Sequence, residues 1–187
     1  KKVLWEKFDV LPYLLRPANY PEGALGKGHV ILKKKEFTLG VINLQGRVEM
    51  QPIDSPFSVG DKIVKELKQI TDNIIIDFHA EATAEKEALG FYFDGKVSAV
   101  LGTHTHVATA DERILPNGTA YITDVGMCGV ENSVIGLDKT VALKRFVTSM
   151  PWSFQPAEGP AFISYVVIDI GEGGKATQII RGKWKET

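Results

Sequence analysis

With 187 residues, of which 44% are hydrophobic and 24% charged, the chain can bury one good-sized core, and its composition argues against intrinsic disorder. Twenty-two basic residues against 23 acidic ones leave a net charge of −1. No long-range field therefore draws in extended nucleic acid or an anionic membrane, and any phosphate recognition must be local. The lone cysteine, Cys128, cannot close an internal disulfide and fits a reducing compartment, with the cytoplasm as the expected location. Apolar runs such as YVVIDI and NIIIDF are too short to span a bilayer, and the opening KKVLWEKFD has no signal-peptide apolar region.

From Trp5 to Gly28, prolines and glycines predict an irregular, turn-filled connection, with the GKG of Gly26 to Gly28 as a turn before a strand. HVILKK and FTLGVINLQ then predict a hairpin joined through Lys34 to Glu36, the basic run Lys33 to Lys35 being a solvated tip. GRVEMQPIDSPF is a second irregular stretch. Asp61 is an N-cap candidate, and Ile63, Val64, Leu67 and Ile70 fall at helical spacing, predicting a short amphipathic helix over 61–70.

NIIIDFHAEAT has the continuous β-branched run of a strand buried on both faces, turning polar at Asp77, His79 and Glu81. A helix near Thr83 to Leu89 and a second buried strand, Val97 to Leu101, complete a parallel βαβ crossover that ends in GTHTH. ERILPNGTAYITDVG predicts a hairpin in which Asn117 and Gly118 both supply positive φ values. A helix begun near Asp138 and two strands around a Gly-rich turn follow, so one α/β domain accounts for residues 1–187.

In open α/β sheets, functional groups collect where strands end. Two successive predicted strands end in histidine, and three of the four histidines in the chain, His79, His104 and His106, lie there. Imidazoles converging at one rim suit zinc, manganese or iron. In an extended segment the i, i+2 pair His104 and His106 point the same way, with Thr105 turned aside. The competing reading is that these are hydrogen-bonded loop residues, as expected for His29. Asp77 and Glu81 are candidates for orienting the imidazoles, or for solvated and capping carboxylates. Cys128 has no base beside it and reads as a small filler. Neither a Gly-x-Ser-x-Gly elbow nor a His-Glu-x-x-His motif is present, which excludes the common serine-hydrolase and zincin patterns. A His-x-His barrel amidohydrolase needs eight βα repeats, for which the chain is too short.

The stretches LLRPANYPEGALGKG, VINLQGR, DFHAEATAEKEALGFYFDGKVSAVLGTHTHVATADERILPNGTAYITDVGMCG and SVIGLDK together resemble the YmdB-type bacterial metallophosphoesterases, a branch of the calcineurin-like superfamily. The resemblance runs from about Arg16 to the carboxyl end. It implies an αββα sandwich and a site of two divalent or trivalent metal ions, iron or manganese first and zinc as an alternative. It also implies hydrolysis of small cyclic nucleotides such as 2′,3′-cyclic AMP by a metal-bridging hydroxide attacking phosphorus.

By the same resemblance His79 and His104 are ligands of one metal and His106 of the other, while Arg16 and Asn19 have structural roles. Family members carry their remaining ligands and a general acid on an Asp-bearing strand, a Glu-Asn pair and an Asn-His pair, none of which matches here. The expectation is therefore an incomplete sandwich similar to the carboxyl-terminal portion of a longer protein, with no catalytic acid of its own. The function expected is a metal-dependent phosphodiesterase, provided that a segment carrying those motifs accompanies the chain. The alternative is a non-catalytic metal-binding or regulatory module keeping half of the site. A homo-oligomer is compatible with the sequence, which leaves the assembly state open.

Overall fold

The computed structural model describes residues 7, 8 and 10–186. Trp5 and Glu6, where the expected irregular connection begins, lie outside them; Lys7, Phe8 and the stretch from Val10 to Gly28 are turns and isolated bridges, as expected. This segment is held by side chains. Asn19 has no solvent exposure, donates from Nδ2 to the carbonyls of Gln45 (2.7 Å) and Asp54 (2.9 Å), and accepts from the Gln45 amide (2.9 Å). Arg16 donates to the carbonyls of Pro17, Ala24 and Leu25. Both residues are structural, as the resemblance implied.

Strands β1 (His29–Lys34) and β2 (Phe37–Gln45) form the expected antiparallel hairpin, with exposed lysines and a positive φ at Lys35 marking its tip. The following helix α1 (Pro56–Leu67) corrects the predicted bounds at both ends. Its N-cap is Ser55, and Pro56 occupies the first turn, where a missing N–H costs nothing and a fixed φ favours the helix. Asp61 lies in mid-helix instead, paired with Lys65 one turn on at 2.7 Å, and Ile70 falls beyond the helix, exposed.

The predicted crossover is present. Strand β3 (Ile74–His79), helix α2 (Thr83–Phe93) and strand β4 (Ala99–Thr103) form a parallel unit, the helix running one turn past the predicted Leu89. β5 (Arg113–Ile114) and β6 (Ala120–Ile122) form the expected hairpin, with one correction. Of Asn117 and Gly118, only Gly118 has a positive φ (99°). Leu115 and Thr119 close a three-residue loop, the class in which a single left-handed residue follows an ordinary turn.

In space the first sheet runs β1-β2-β3-β4-β6-β5, with β2, β3, β4 and β6 parallel and an antiparallel strand at each edge. β7 (Cys128–Val130), β8 (Ala161–Ile170) and β9 (Ala176–Lys185) make a second, antiparallel sheet. Between β7 and β8 lies α3 (Lys139–Thr148), whose N-cap Asp138 accepts from the amides of Thr140 and Val141 as predicted. Among the described residues no helix is long and apolar enough to cross a membrane.

The period-2 alternation of strands divides the first sheet's faces. Ile74, Ile76 and Phe78 of β3 pack with Val64, Leu67, Leu89 and Phe93 of the helices. On the other face Ile75, Leu101, Ala99 and Ala120 meet Ala176, Ile168 and Ile179 of the second sheet, the alanines letting the two sheets approach. Among the described residues the layers are thus helix, sheet, sheet, three of the four expected of an αββα sandwich. The outer face of the second sheet keeps Ile163, Tyr165, Val167, Ile180 and Trp184 exposed. Cys128, expected as a filler, is exposed on β7, because this strand is the short edge of that sheet.

One glycine controls how β4 and β6 end together. A Cβ on Gly102 would overlap the carbonyl of Thr123, while the Gly102 carbonyl itself accepts from the Val125 amide at 2.9 Å. Gly102→Ala must push one backbone from the other, with an expected loss of roughly 3 kcal/mol or more, the upper part of the range for overpacked interiors. A urea midpoint within error of wild type would contradict this close approach.

Candidate metal centre

The carboxyl ends of β2, β3, β4 and β6 lie side by side, and the ladder register puts Gln45 beside His79 and His79 beside Thr103. His79 is the last residue of β3 and His104 the first beyond β4, so a parallel crossover delivers both imidazoles to one rim, as the strand-end argument predicted. Their rings meet edge to face, with centroids 4.7 Å apart at 88° and His104 Nδ1 2.9 Å from His79 Nε2. Because Asp77 precedes His79 by two, both side chains project from the face turned toward the second sheet.

A chain of hydrogen bonds runs through the pair. Asn43 Nδ2 donates to Asp77 Oδ2 at 2.7 Å, Thr103 Oγ1 donates to Asp77 Oδ1 at 3.1 Å, and His79 Nδ1 lies 3.1 Å from Thr103 Oγ1. A hydroxyl that donates to Asp77 can accept from His79 Nδ1–H, which leaves the lone pair on Nε2. Burial lowers the His79 pKa from 6.5, the neighbouring His104 and Lys86 lower it further, and Asp77 and Asp124 oppose them. A neutral imidazole with a fixed tautomer is what a metal requires of a ligand. At the far end Glu81 Oε2 lies 2.9 Å from His104 Nε2. Asp77 and Glu81 both therefore bear on the histidines, Asp77 through Thr103 and Glu81 directly.

His106 does not join this chain. The strand ends at Thr103, and His104 and His106 have φ values of 120° and 67°, so the segment is a bend and the extended i, i+2 geometry fails. Positive φ in residues bearing a Cβ is uncommon and persists only where surroundings enforce it. His106 instead lines a cavity with Val107, Ala108 and Met127. Among the described residues no group of three or more His, Cys, Asp or Glu side chains is arranged to hold a metal.

The bend is enforced by a residue that sequence reasoning missed. Asp124, just beyond β6, is fully buried and accepts from the amides of Thr105 and Gly126 at 2.9 Å each and from Lys86 Nζ at 3.0 Å. Burial works to raise its pKa, but these donors outweigh it and hold the carboxyl below its usual 3.8. Lys86 is itself only 1% exposed, on the buried stripe of α2 with Leu89, Gly90 and Phe93. That spacing is the one sequence signal of the pair, a lysine in register with core positions of an otherwise apolar stripe.

Set against known proteins, residues 1–181 match the family model described as YmdB-like protein. The chain belongs to the YmdB-like family. It is 53% identical over 175 residues to a 2′,3′-cyclic-nucleotide 2′-phosphodiesterase of Bacillus subtilis, a match covering 94% of the chain and 66% of that relative. Across the curated relatives that it matches, the chain spans 58 to 66% of their length. Among solved structures, a hypothetical protein of Thermus thermophilus superposes with a TM-score of 0.93 at 41% identity, over the whole chain and 73% of its own length. A phosphatase from Mycoplasma pneumoniae gives 0.85 at 33% identity, over 97% of the chain and 68% of its own.

Breaking the buried pair from one side strands a charge. Lys86→Met should cost about 3–5 kcal/mol in urea unfolding, and Lys86→Met with Asp124→Asn should recover much of it. The acid limb adds a second check. A carboxylate held below its unfolded-state pKa gives stability that is complete above about pH 4 and lost as pH falls through the lowered value. The double variant should therefore lose stability less steeply below about pH 4 than wild type. An identical acid limb would show that Asp124 carries no such charge.

Proposed function

We propose that the chain forms part of a metal-dependent phosphodiesterase acting on small cyclic nucleotides of the 2′,3′-cyclic AMP type. The observation that carries this reading is the His79–His104 contact at adjoining strand ends, with the His79 tautomer fixed through Thr103 and Asp77. The 53% identity to a 2′,3′-cyclic-nucleotide 2′-phosphodiesterase supports the choice of substrate.

The donor chemistry fits a metal, and the donor count calls for further ligands beyond those that the described residues bring together. In this reading His79 and His104 serve one metal ion and His106, set apart by the bend, serves a second. Bound metal ions would supply an activated water and offset charge on the phosphoryl oxygens. The chain's own residues do the positioning. Asp77 holds the His79 ring through Thr103, Glu81 holds the His104 ring, and Asp124 with Lys86 holds the backbone that separates His104 from His106. No general acid is assigned within the chain.

The test is to load the protein with Mn²⁺ or Fe²⁺, count bound metal by mass spectrometry and follow 2′,3′-cyclic AMP hydrolysis. His104→Ala should remove bound metal and turnover together, and Asp77→Ala should weaken metal affinity roughly 10–100-fold, as expected when a ligand loses its orienting partner. Turnover unchanged by His104→Ala would sink the assignment. Metal uptake without hydrolysis would favour a binding or regulatory module.

A further inference from the structure

Beside the histidine rim, between the segment that follows β4 and the second sheet, lies a cavity of about 380 Å³ of which the chemistry above uses His106 alone. His106 forms one wall. We propose that this cavity is the subsite for the nucleobase of the substrate, an inference that rests on the phosphodiesterase reading and adds to it where the organic part of the nucleotide sits.

The volume lies in the range of small-ligand sites, about 300–1,000 Å³. Its lining suits a flat heteroaromatic ring: apolar walls from Met127, Val130, Ile135 and Phe162, with Ser164 among them. Polarisable methionine and an aromatic ring pack against any base without reading its identity. The carboxylate at the cavity is already paired. Lys183 Nζ lies 3.0 Å from Glu131 and 4.0 Å from the centre of the Phe162 ring, and Glu131 also pairs with Lys185 at 2.7 Å. A neutral base can enter without breaking these pairs.

A second, independent observation falls in the same wall. Ile135 holds φ at 47° although it is β-branched and 49% exposed. A β-branched residue in the left-handed region is an outlier, and such strain collects at ligand clamps. The strained backbone places an apolar side chain at the cavity mouth, where solvent alone would favour a glycine.

Adenosine, which carries the base without a phosphate, is titrated into ¹⁵N-labelled protein. Saturable amide shifts confined to Val130, Ile135, Phe162 and Ser164 are expected, and shifts elsewhere or none at millimolar adenosine overturn the subsite. In the metal-loaded enzyme, Phe162→Ala should raise KM for 2′,3′-cyclic AMP roughly tenfold, the scale of losing one stacking partner, with kcat little changed. Ethylene phosphate, a base-free cyclic phosphodiester, should be hydrolysed equally by both proteins. Ile135→Gly guards against misfolding, since it removes the wall while relaxing the backbone, and it should raise KM for the nucleotide alone. Equal effects on both substrates overturn the proposal. Absent hydrolysis of either substrate by wild type, with the adenosine shifts intact, would overturn the phosphodiesterase reading and leave the cavity assignment standing.

Discussion

The ion pair between Asp124 and Lys86 is the constraint on which the rim depends. Both groups are withdrawn from water, and an unpaired charge there would cost several kcal/mol, so helix α2, the end of β6 and the bend after β4 must be in register at once. The carboxylate is shared among Lys86 and the amides of Thr105 and Gly126, so it ties one helix to two loop segments. Loops that carry functional groups are usually the softest part of an α/β fold. Here the softest part is fastened from beneath by a charge that has nowhere else to go.

That fastening works only because the strand ends approach closely. Gly102 lets the Thr123 carbonyl pass where a side chain would stand, and Thr109 bonds both the amide and the carbonyl of Asp124. The alanines at the sheet-to-sheet contact act on the same side of the first sheet, bringing the second sheet near enough for Met127, Phe162 and Ser164 to reach the cavity next to His106. Small residues set the spacing, and the spacing decides which side chains share the rim.

The strands were legible in the sequence because their signals are local. Continuous β-branched runs, a polar switch at Asp77 and a helix-length gap were enough to predict the crossover, and the crossover was enough to bring His79 to His104. The start of α1 was misplaced because Asp61 offers an N-cap type at an apolar period, while the stronger signal, Ser55 followed by Pro56, lay inside a stretch read as loop. Asn43, Thr103 and Asp124 were invisible for a different reason. Apart from the Gly126 amide, the partners of these side chains lie between 19 and 38 positions away in sequence, and no periodicity reports such pairs. The relation between His104 and His106 failed for a third reason: spacing implies direction only while the backbone stays extended, and two positive φ values cancel that premise.

The failure at that point is itself informative about how a rim can serve two positions from one short motif. Had GTHTH continued as a strand, both imidazoles would project from one face, and the Thr105 amide would point along a ladder instead of into the sheet end. The bend turns the Thr105 amide onto Asp124 and leaves the two rings with different surroundings. His104 is engaged through both ring nitrogens, by His79 and by Glu81, and so belongs to the rigid side of the rim. His106 is exposed on the cavity wall. The backbone strain at these two residues is the cost of that division, and the buried carboxylate supplies the hydrogen bond that keeps it in place.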